Sequence, residues 1–408
     1  MAVLAVSLLL APGSPTTAAP APPAAESVGT VASSAAEPAP RVVTEDGPGV
    51  TVDLGLLQGL QEGDTFMVEL PDGAQEAVVE FRDDQRGFTG WSGSIGTGTF
   101  DAVAAAGDTP GSVRVEVTMP GAAYVIAPES GAGDGRTGPA GDYRIRDVSD
   151  VAVPPHVDDA VVPPSQLASA GAPPAARGTQ APRKVRLLVV YSKQAKKAAG
   201  GKKRIRARAR TLVQQTNASF EKSQIGARIV LAGVKPTSGE KRKNVLGNLK
   251  SLWKRDGRYE NVPRLRSRTK ADLVHLLVKT RDRNRNCGQG YIAPTARYAY
   301  SVATQACSTR FRISSHEIGH NFGGDHDRRA SAKPIAKRPA RGHVNVRKGW
   351  ITVMSYYTAC EKKGKYCRVI PYFSNPKVKY NGSRTGIKGK ADNARVIRGN
   401  AGRISRFR

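Results

Sequence analysis

The sequence predicts an α/β domain on a mixed, mostly parallel twisted sheet, with a small all-β domain ahead of it. Three observations carry this. From Lys184 onward, short apolar runs alternate with stretches of helical period, the pattern of strand–helix units that align in parallel. Between Arg41 and Ser149, apolar and polar residues alternate with period two between Gly and Asp turns, as in antiparallel strands with one buried face. Between them lies a stretch rich in Pro, Ala and Gly, with Pro154-Pro155, Pro163-Pro164 and Pro173-Pro174. Such a composition stays extended and open to proteases.

In chain order, residues 1–19 read as an export signal: an apolar run over 2–10, small residues, and a Thr17-Ala18-Ala19 site. That run is too short to span a bilayer, and no later segment qualifies. Residues 20–40 are Ala/Pro/Ser-rich and expected to be disordered. In 41–150, strands are expected over 65–70, 76–81, 89–95, 113–118 and 143–146, making a small sandwich or meander. Residues 151–182 are the linker, with cuts expected near Arg177 and Arg183. In 183–408, a buried strand over 185–191 precedes a helix on which Ile205, Ala209, Leu212, Val213, Thr216 and Phe220 share a face, ended by Gly226. Arg204, Arg206, Arg208 and Arg210 lie on its other face, expected to be solvated. A strand over 229–234, a helix through Val245, Leu249 and Leu252, and a strand over 271–278 follow. Residues 298–303 are expected at the sheet edge. Ser308 is expected to cap the next helix, 328–348 are basic loop, and 392–406 a terminal helix.

The 408 residues carry a formal charge of +29, unevenly spread. Residues 1–180 hold 8 basic and 23 acidic side chains, net −15; residues 181–408 hold 55 and 11, net +44. The second half attracts polyanions and acidic surfaces, and the two halves attract each other. All four cysteines, Cys287, Cys307, Cys360 and Cys367, lie in the basic half. An even count in an exported chain favours two disulfides. Three pairings are possible, of which Cys287–Cys307 and Cys360–Cys367 close local loops. A second metal site is the competing reading, and the lack of a C-x-x-C spacing speaks against it.

The chemistry concentrates in 316–327, which reads H-E-x-x-H-x-x-G-x-x-H-D. Such a set of specified positions arises by chance in about one chain in a million of this length. His316 and His320, spaced i, i+4, present both imidazoles on one helix face. Glu317 is turned about 100° from the first, within reach of a water beside a metal. Gly323 permits the positive φ that ends the helix, and His326 returns as a third donor. Three protein ligands leave a fourth position open, the arrangement of a catalytic zinc site. His275, in an apolar strand, is expected as a core residue, His343 as structural or rim. Asp327 is expected to orient a ligand or the nearby backbone.

This motif resembles the metzincin zinc endopeptidases. Met354, in Thr352-Val353-Met354-Ser355-Tyr356, looks like their Met-turn. The ending His326-Asp327 is similar to that of reprolysin-type members. Tyr372-Phe373-Ser374-Asn375-Pro376 and Ala391-Asp392-Asn393-Ala394-Arg395 resemble bacterial reprolysin-like and peptidyl-Asp-type enzymes. The resemblance is specific from Cys287 on and weaker from Lys184 to Cys287. It implies a secreted endopeptidase with one zinc on His316, His320 and His326, and Glu317 as general base. It further implies Met354 beneath the metal, Tyr356 near the metal or the oxyanion, and a cleft edge that pairs with extended substrate. Calcium is left open. Protein or peptide substrates are expected, acidic ones among them, with no specific nucleic-acid partner, no transmembrane segment and a monomeric state. A basic, polyanion- or envelope-binding secreted protein with a vestigial metal site is the alternative. Many metzincins are kept latent by a cysteine ahead of the catalytic domain, and residues 1–286 contain none. An extended linker segment across the cleft is expected instead, with His156, Asp158 or Asp159 as metal blocker.

Overall fold

The computed structural model describes residues 39–46, 49–106, 112–128, 143–150, 159–163, 181–238, 240, 244–254, 256–280, 286–292, 295–330 and 339–408. The expectations for 1–19, for 20–38 and for most of the linker, including His156, Asp158 and Arg177, lie outside these residues. Ala39–Arg408 is one compact unit.

Among the described residues, nine strands of the acidic half close into a barrel: β1 (Arg41–Asp46), β2 (Gly49–Val52), β3 (Thr65–Leu70), β4 (Gly73–Gln85), β5 (Phe88–Ile95), β6 (Gly98–Ala105), β7 (Arg114–Met119), β8 (Ala122–Pro128) and β9 (Tyr143–Asp147). From β3 to β9 each strand pairs antiparallel with the next. Closure comes from the first two strands: β1 runs parallel to β3 and antiparallel to β2, and β2 meets β9 at Val50–Tyr143. The expected strands are present and β3 to β9 form the expected meander; the sandwich alternative is corrected to a barrel, because these pairings leave no edge open. Phe66, Trp91, Phe100, Val115, Ile126 and Tyr143 fill the interior, and helix α1 (Leu54–Gly59) adds Leu57.

The basic half supplies five strands, and the segment expected as linker supplies the sixth, β10, of a sheet in the order β10-β14-β15-β13-β11-β12. Its strands are β10 (Ala160–Val161), β11 (Arg183–Tyr191), β12 (Ala227–Pro236), β13 (Leu273–Val278), β14 (Gly288–Tyr291) and β15 (Tyr300–Thr304). Every pair is parallel except β14 with β15. Residues of β11 alternate between two cores. Val185, Leu187, Val189 and Tyr191 join one core; Leu188 and Val190 join the other. Burial on both faces explains why the strand reads as a continuous apolar run. Helices α2 (Lys193–Ala198) and α3 (Lys202–Lys222) follow β11; α4 (Val245–Lys254) and α5 (Val262–Thr269) follow β12. The segment expected at the edge is the interior strand β15. Outside it lies β14, whose Gly-Gln-Gly-Tyr sequence carries no strand pattern, and β10 pairs along β14 as the edge strand.

Helix α3 is buried from Thr211 through Phe220, because the sheet covers one face and the barrel another. The barrel side is polar. Asn217 Nδ2 donates to Asp83 (2.7 Å), Gln214 Nε2 to Ser92 (3.1 Å) and Gln215 Nε2 to Asp101 (3.2 Å). Arg228 pairs with Asp83, and Arg312 with Asp101 at 2.8 Å. The arginines expected in solvent, Arg204, Arg206, Arg208 and Arg210, are all half-buried instead, and Arg208 donates to the carbonyl of Gln305. Burial, with Arg114, Arg146 and Arg204 nearby, lowers the Arg208 pKa to about 9.

The next helix, α6 (Ile313–Asn321), begins five residues after the expected cap. Ser308 Oγ donates to Gln305 O (3.1 Å) instead of capping, and Phe311 and Arg312 take left-handed φ values of 52° and 56°. The cause is the barrel. Thr309 donates to Glu116 and Arg312 to Asp101, so the chain is held in a tight turn up to Ile313. Beyond α6 come β16 (Val344–Asn345), β17 (Trp350–Ile351), α7 (Thr358–Glu361), β18 (Arg368–Val369) and α8 (Asn393–Ile404). The cysteines pair as Cys287–Cys307 and Cys360–Cys367, with Cα atoms 5.7 and 6.0 Å apart.

Candidate metal centre and active site

Helix α6 turns Ile318 and Phe322 into the main core and leaves His316 and His320 on the opposite side. Asn321 anchors it to the sheet, donating to the carbonyls of Tyr291 (2.8 Å) and Tyr300 (3.0 Å). The helix lies so close under β14 that two positions there require glycine. A Cβ on Gly288 would sit 2.4 Å from Glu317 Oε1, and one on Gly290 would sit 2.6 Å from the carbonyl oxygen of Glu317. Gly323 has φ +91°, and the reversal it permits brings His326 back over the helix.

The three imidazoles converge. His326 Nε2 lies 3.2 Å from His316 Nε2 and 3.0 Å from His320 Nε2. The far nitrogens of two rings are fixed by backbone: His316 Nδ1 lies 2.7 Å from Val353 O, and His320 Nδ1 lies 2.8 Å from Gly324 O. Carbonyl acceptors there hold the proton on Nδ1 and turn the Nε2 lone pairs to one point. Burial lowers the His320 pKa to about 4, so its ring is neutral at pH 7. A fourth donor joins them. Asp159 Oδ1 stands 3.4, 3.1 and 2.7 Å from Nε2 of His316, His320 and His326. Ligand atoms about 2.0–2.1 Å from a tetrahedral zinc are separated by about 3.3 Å. The spacings found here are close to that. Lone pairs facing one another in a buried pocket repel unless a cation lies between them, so the donor set fits a divalent metal.

Glu317 is fully buried beside this point. Burial, and then the Asp159 carboxylate, raise its pKa well above the usual carboxylate range. Met354 lies directly under the helix, where a Cβ on Gly319 would be 2.5 Å from its sulfur. Tyr356 sits over the rings, 4.7 Å from that of His326 between centroids, and its hydroxyl donates to Asp159 Oδ2. Asp327 orients backbone rather than an imidazole: Oδ2 accepts from Tyr356 N (3.0 Å) and Oδ1 from Arg329 N (2.9 Å). His275 is a core residue bracketed by the hydroxyls of Ser301 and Ser314, each at 2.9 Å. His343 leans against Trp350 and is not among the side chains that converge on the centre.

Sequence reasoning missed several supports. Asp325 takes the backbone N–H of His326 on Oδ1 (2.8 Å), and Asn393 donates to Asp325 O (3.3 Å), tying α8 to the third histidine. Arg341 Nη1 donates to His326 O (3.3 Å). The only sequence signal for these was Asn393 within the Asp-Asn-Ala-Arg stretch.

Residues 181–373 match the sequence model of metallo-peptidase family M12 (Reprolysin_5), so this segment is a metallopeptidase domain of the metzincin-like kind. The relatives it matches are bacterial. A Peptidyl-Asp metalloendopeptidase of Stenotrophomonas maltophilia (strain R551-3) is 30% identical over 234 residues, covering 56% of this chain and 53% of the relative. Its namesake in Xanthomonas campestris pv. campestris is 30% identical over 230 residues, 56% and 52% of the two chains. That of Pseudomonas aeruginosa is 26% identical over 258 residues, 56% and 41%. The chain thus spans about half the length of the curated relatives it matches. A solved chain from "Structure of a chaperone-substrate complex" aligns with a TM-score of 0.45 and 17% identity, over 72% of this chain and 43% of that one.

Proposed function

We propose that the chain is a secreted zinc endopeptidase in which His316, His320 and His326 hold the metal and Glu317 is the general base. The observation that carries this is the convergence of three Nε2 atoms on one point beside a buried glutamate. A zinc ion bound there supplies Lewis acidity, polarising the scissile carbonyl and acidifying water. Glu317 takes the proton of the attacking water and delivers it to the departing amine. Burial raises its affinity for a proton, which favours the uptake step. Met354 supports the helix from below, and we read the Tyr356 hydroxyl, which here donates to Asp159, as a donor to the developing oxyanion once that carboxylate is gone. Export fits two disulfides, which persist in oxidising compartments. We read 1–19 as the signal, 41–150 as a prodomain and 183–408 as the enzyme, separated by cutting in 151–182.

The relatives' name, together with the +44 charge of residues 181–408, supports substrates with an acidic residue just after the cleaved bond. That charge also favours the second reading, polyanion binding, which gives no role to a buried Glu317. Digestion of a protein substrate by linker-cut chain, with and without chelator, separates the two. Glu317→Ala should keep its zinc and lose about 10²–10⁴-fold in turnover. Undiminished proteolysis by that variant would remove Glu317 from the mechanism. Changing any of the three histidines to Ala should remove metal and activity together.

A further inference from the structure

We infer that Asp159 is a fourth protein ligand of the metal and that the fold described here is a closed, latent form of the enzyme. The inference rests on the reading of residues 181–408 as a zinc endopeptidase and concerns the regulation of that site. Two independent contacts of one short segment carry it.

The first is at the metal point. Asp159 is buried, and its Oδ1 lies within 3.4 Å of all three Nε2 atoms. The Tyr356 hydroxyl holds the other oxygen, so a single oxygen faces the centre. Among the described residues, these four side chains are the one group placed to hold a metal ion. Four protein ligands saturate tetrahedral zinc and leave no position for water or a carbonyl, which is what separates a structural site from a catalytic one.

The second contact is at the substrate groove. The residues that follow Asp159 form β10 along the free side of β14, with Gly290 N donating to Asp159 O (3.2 Å) and Ile292 N to Val161 O (3.0 Å). An extended peptide that adds to a sheet edge needs those same backbone groups. One three-residue segment therefore blocks chemistry and binding together. Opening is a ligand exchange: the Asp159 carboxylate leaves, water takes its position, and β10 peels from β14. The anchorage is short, two residues of strand, so it depends on tethering at both ends. One tether is the barrel, reached through Val148–Asp150; the other is the linker running to β11.

The test uses the intact, zinc-loaded chain and a small hydroxamate, which needs an open metal position. Wild type should bind it at least about tenfold more weakly than Asp159→Ala, because only the open fraction is competent. In cobalt-substituted protein the visible spectrum should differ between the two. Intact Asp159→Ala should also cleave peptide without any linker cut. Asp159→Asn keeps the volume of the side chain and serves if the alanine variant does not fold. Equal hydroxamate affinity and identical cobalt spectra in wild type and variant would overturn the fourth-ligand assignment. Failure of every form to bind zinc through the three histidines would instead overturn the endopeptidase reading beneath it.

Discussion

His275 shows how burial fixes the state of a single group. Burial lowers its pKa to about 3, against about 6.5 in an unfolded chain. Between those values the unfolded chain binds a proton that the folded chain refuses. The stability that depends on the neutral ring is complete above about pH 6.5 and drains away as pH falls, by about 1.4 kcal/mol per pH unit. Unfolding free energy measured from pH 6 to pH 4 should therefore fall more steeply for the wild type than for His275→Asn, with parallel lines above pH 7. Parallel lines throughout would show that the ring is protonated in the fold. At this scale the sequence was most legible where chemistry sets spacing. His316, Glu317, His320 and His326 stand where their intervals place them, since a helix turn and one glycine determine the outcome. Asp159 was only one of three candidates with His156 and Asp158. Which of them reaches the centre depends on strand register along β14, and register is not local information. Asp325 and Arg341 act through backbone atoms and left no pattern.

Elements with clear periodicity, such as β11, α3 and β13, came out where expected; those shaped by a neighbour did not. β14 reads as loop because its glycines answer to α6, not to strand propensity. The two glycines differ in what they protect. Gly290→Ala would drive a methyl against the Glu317 carbonyl and within 3.2 Å of His320 Cβ. Neither can yield without moving α6, so a loss of about 1–3 kcal/mol and weaker zinc binding are expected. Gly288→Ala meets the Glu317 side chain, and should depress turnover more than stability. Thermal unfolding, zinc titration and peptide turnover of both variants would show the split; the same pattern of losses in both variants would contradict it. The onset of α6 was misplaced for a similar reason, since Ser308 carries a good capping hydroxyl but Thr309 and Arg312 are claimed by the barrel.

For the whole molecule, the charge asymmetry was legible and the closed barrel was not, because closure joins Val50 to Tyr143 across more than half of that domain. The polar seam gives a salt-dependent prediction. After a cut in the linker the barrel and the basic domain should co-elute at low ionic strength, held by opposite net charges and by pairs such as Arg312–Asp101. About 1 M salt shrinks the reach of those charges to about 3 Å and should promote separation. Asp101→Ala leaves Arg312 buried without its partner, a change expected to cost about 3–5 kcal/mol and to release the barrel at lower salt. Release of wild type and variant at the same ionic strength would remove this pair from the seam.

The barrel face of α3 also determines what is left behind. Gln214, Gln215 and Asn217 are as content with water as with Ser92, Asp101 and Asp83, and little oily surface beyond Phe88 and Val103 spans the joint. The two bodies can part without either becoming sticky. Once the linker is cut, the Asp159 segment is tethered at one end only and a two-residue strand is its whole grip on β14, so parting of the seam and release of the centre should occur together.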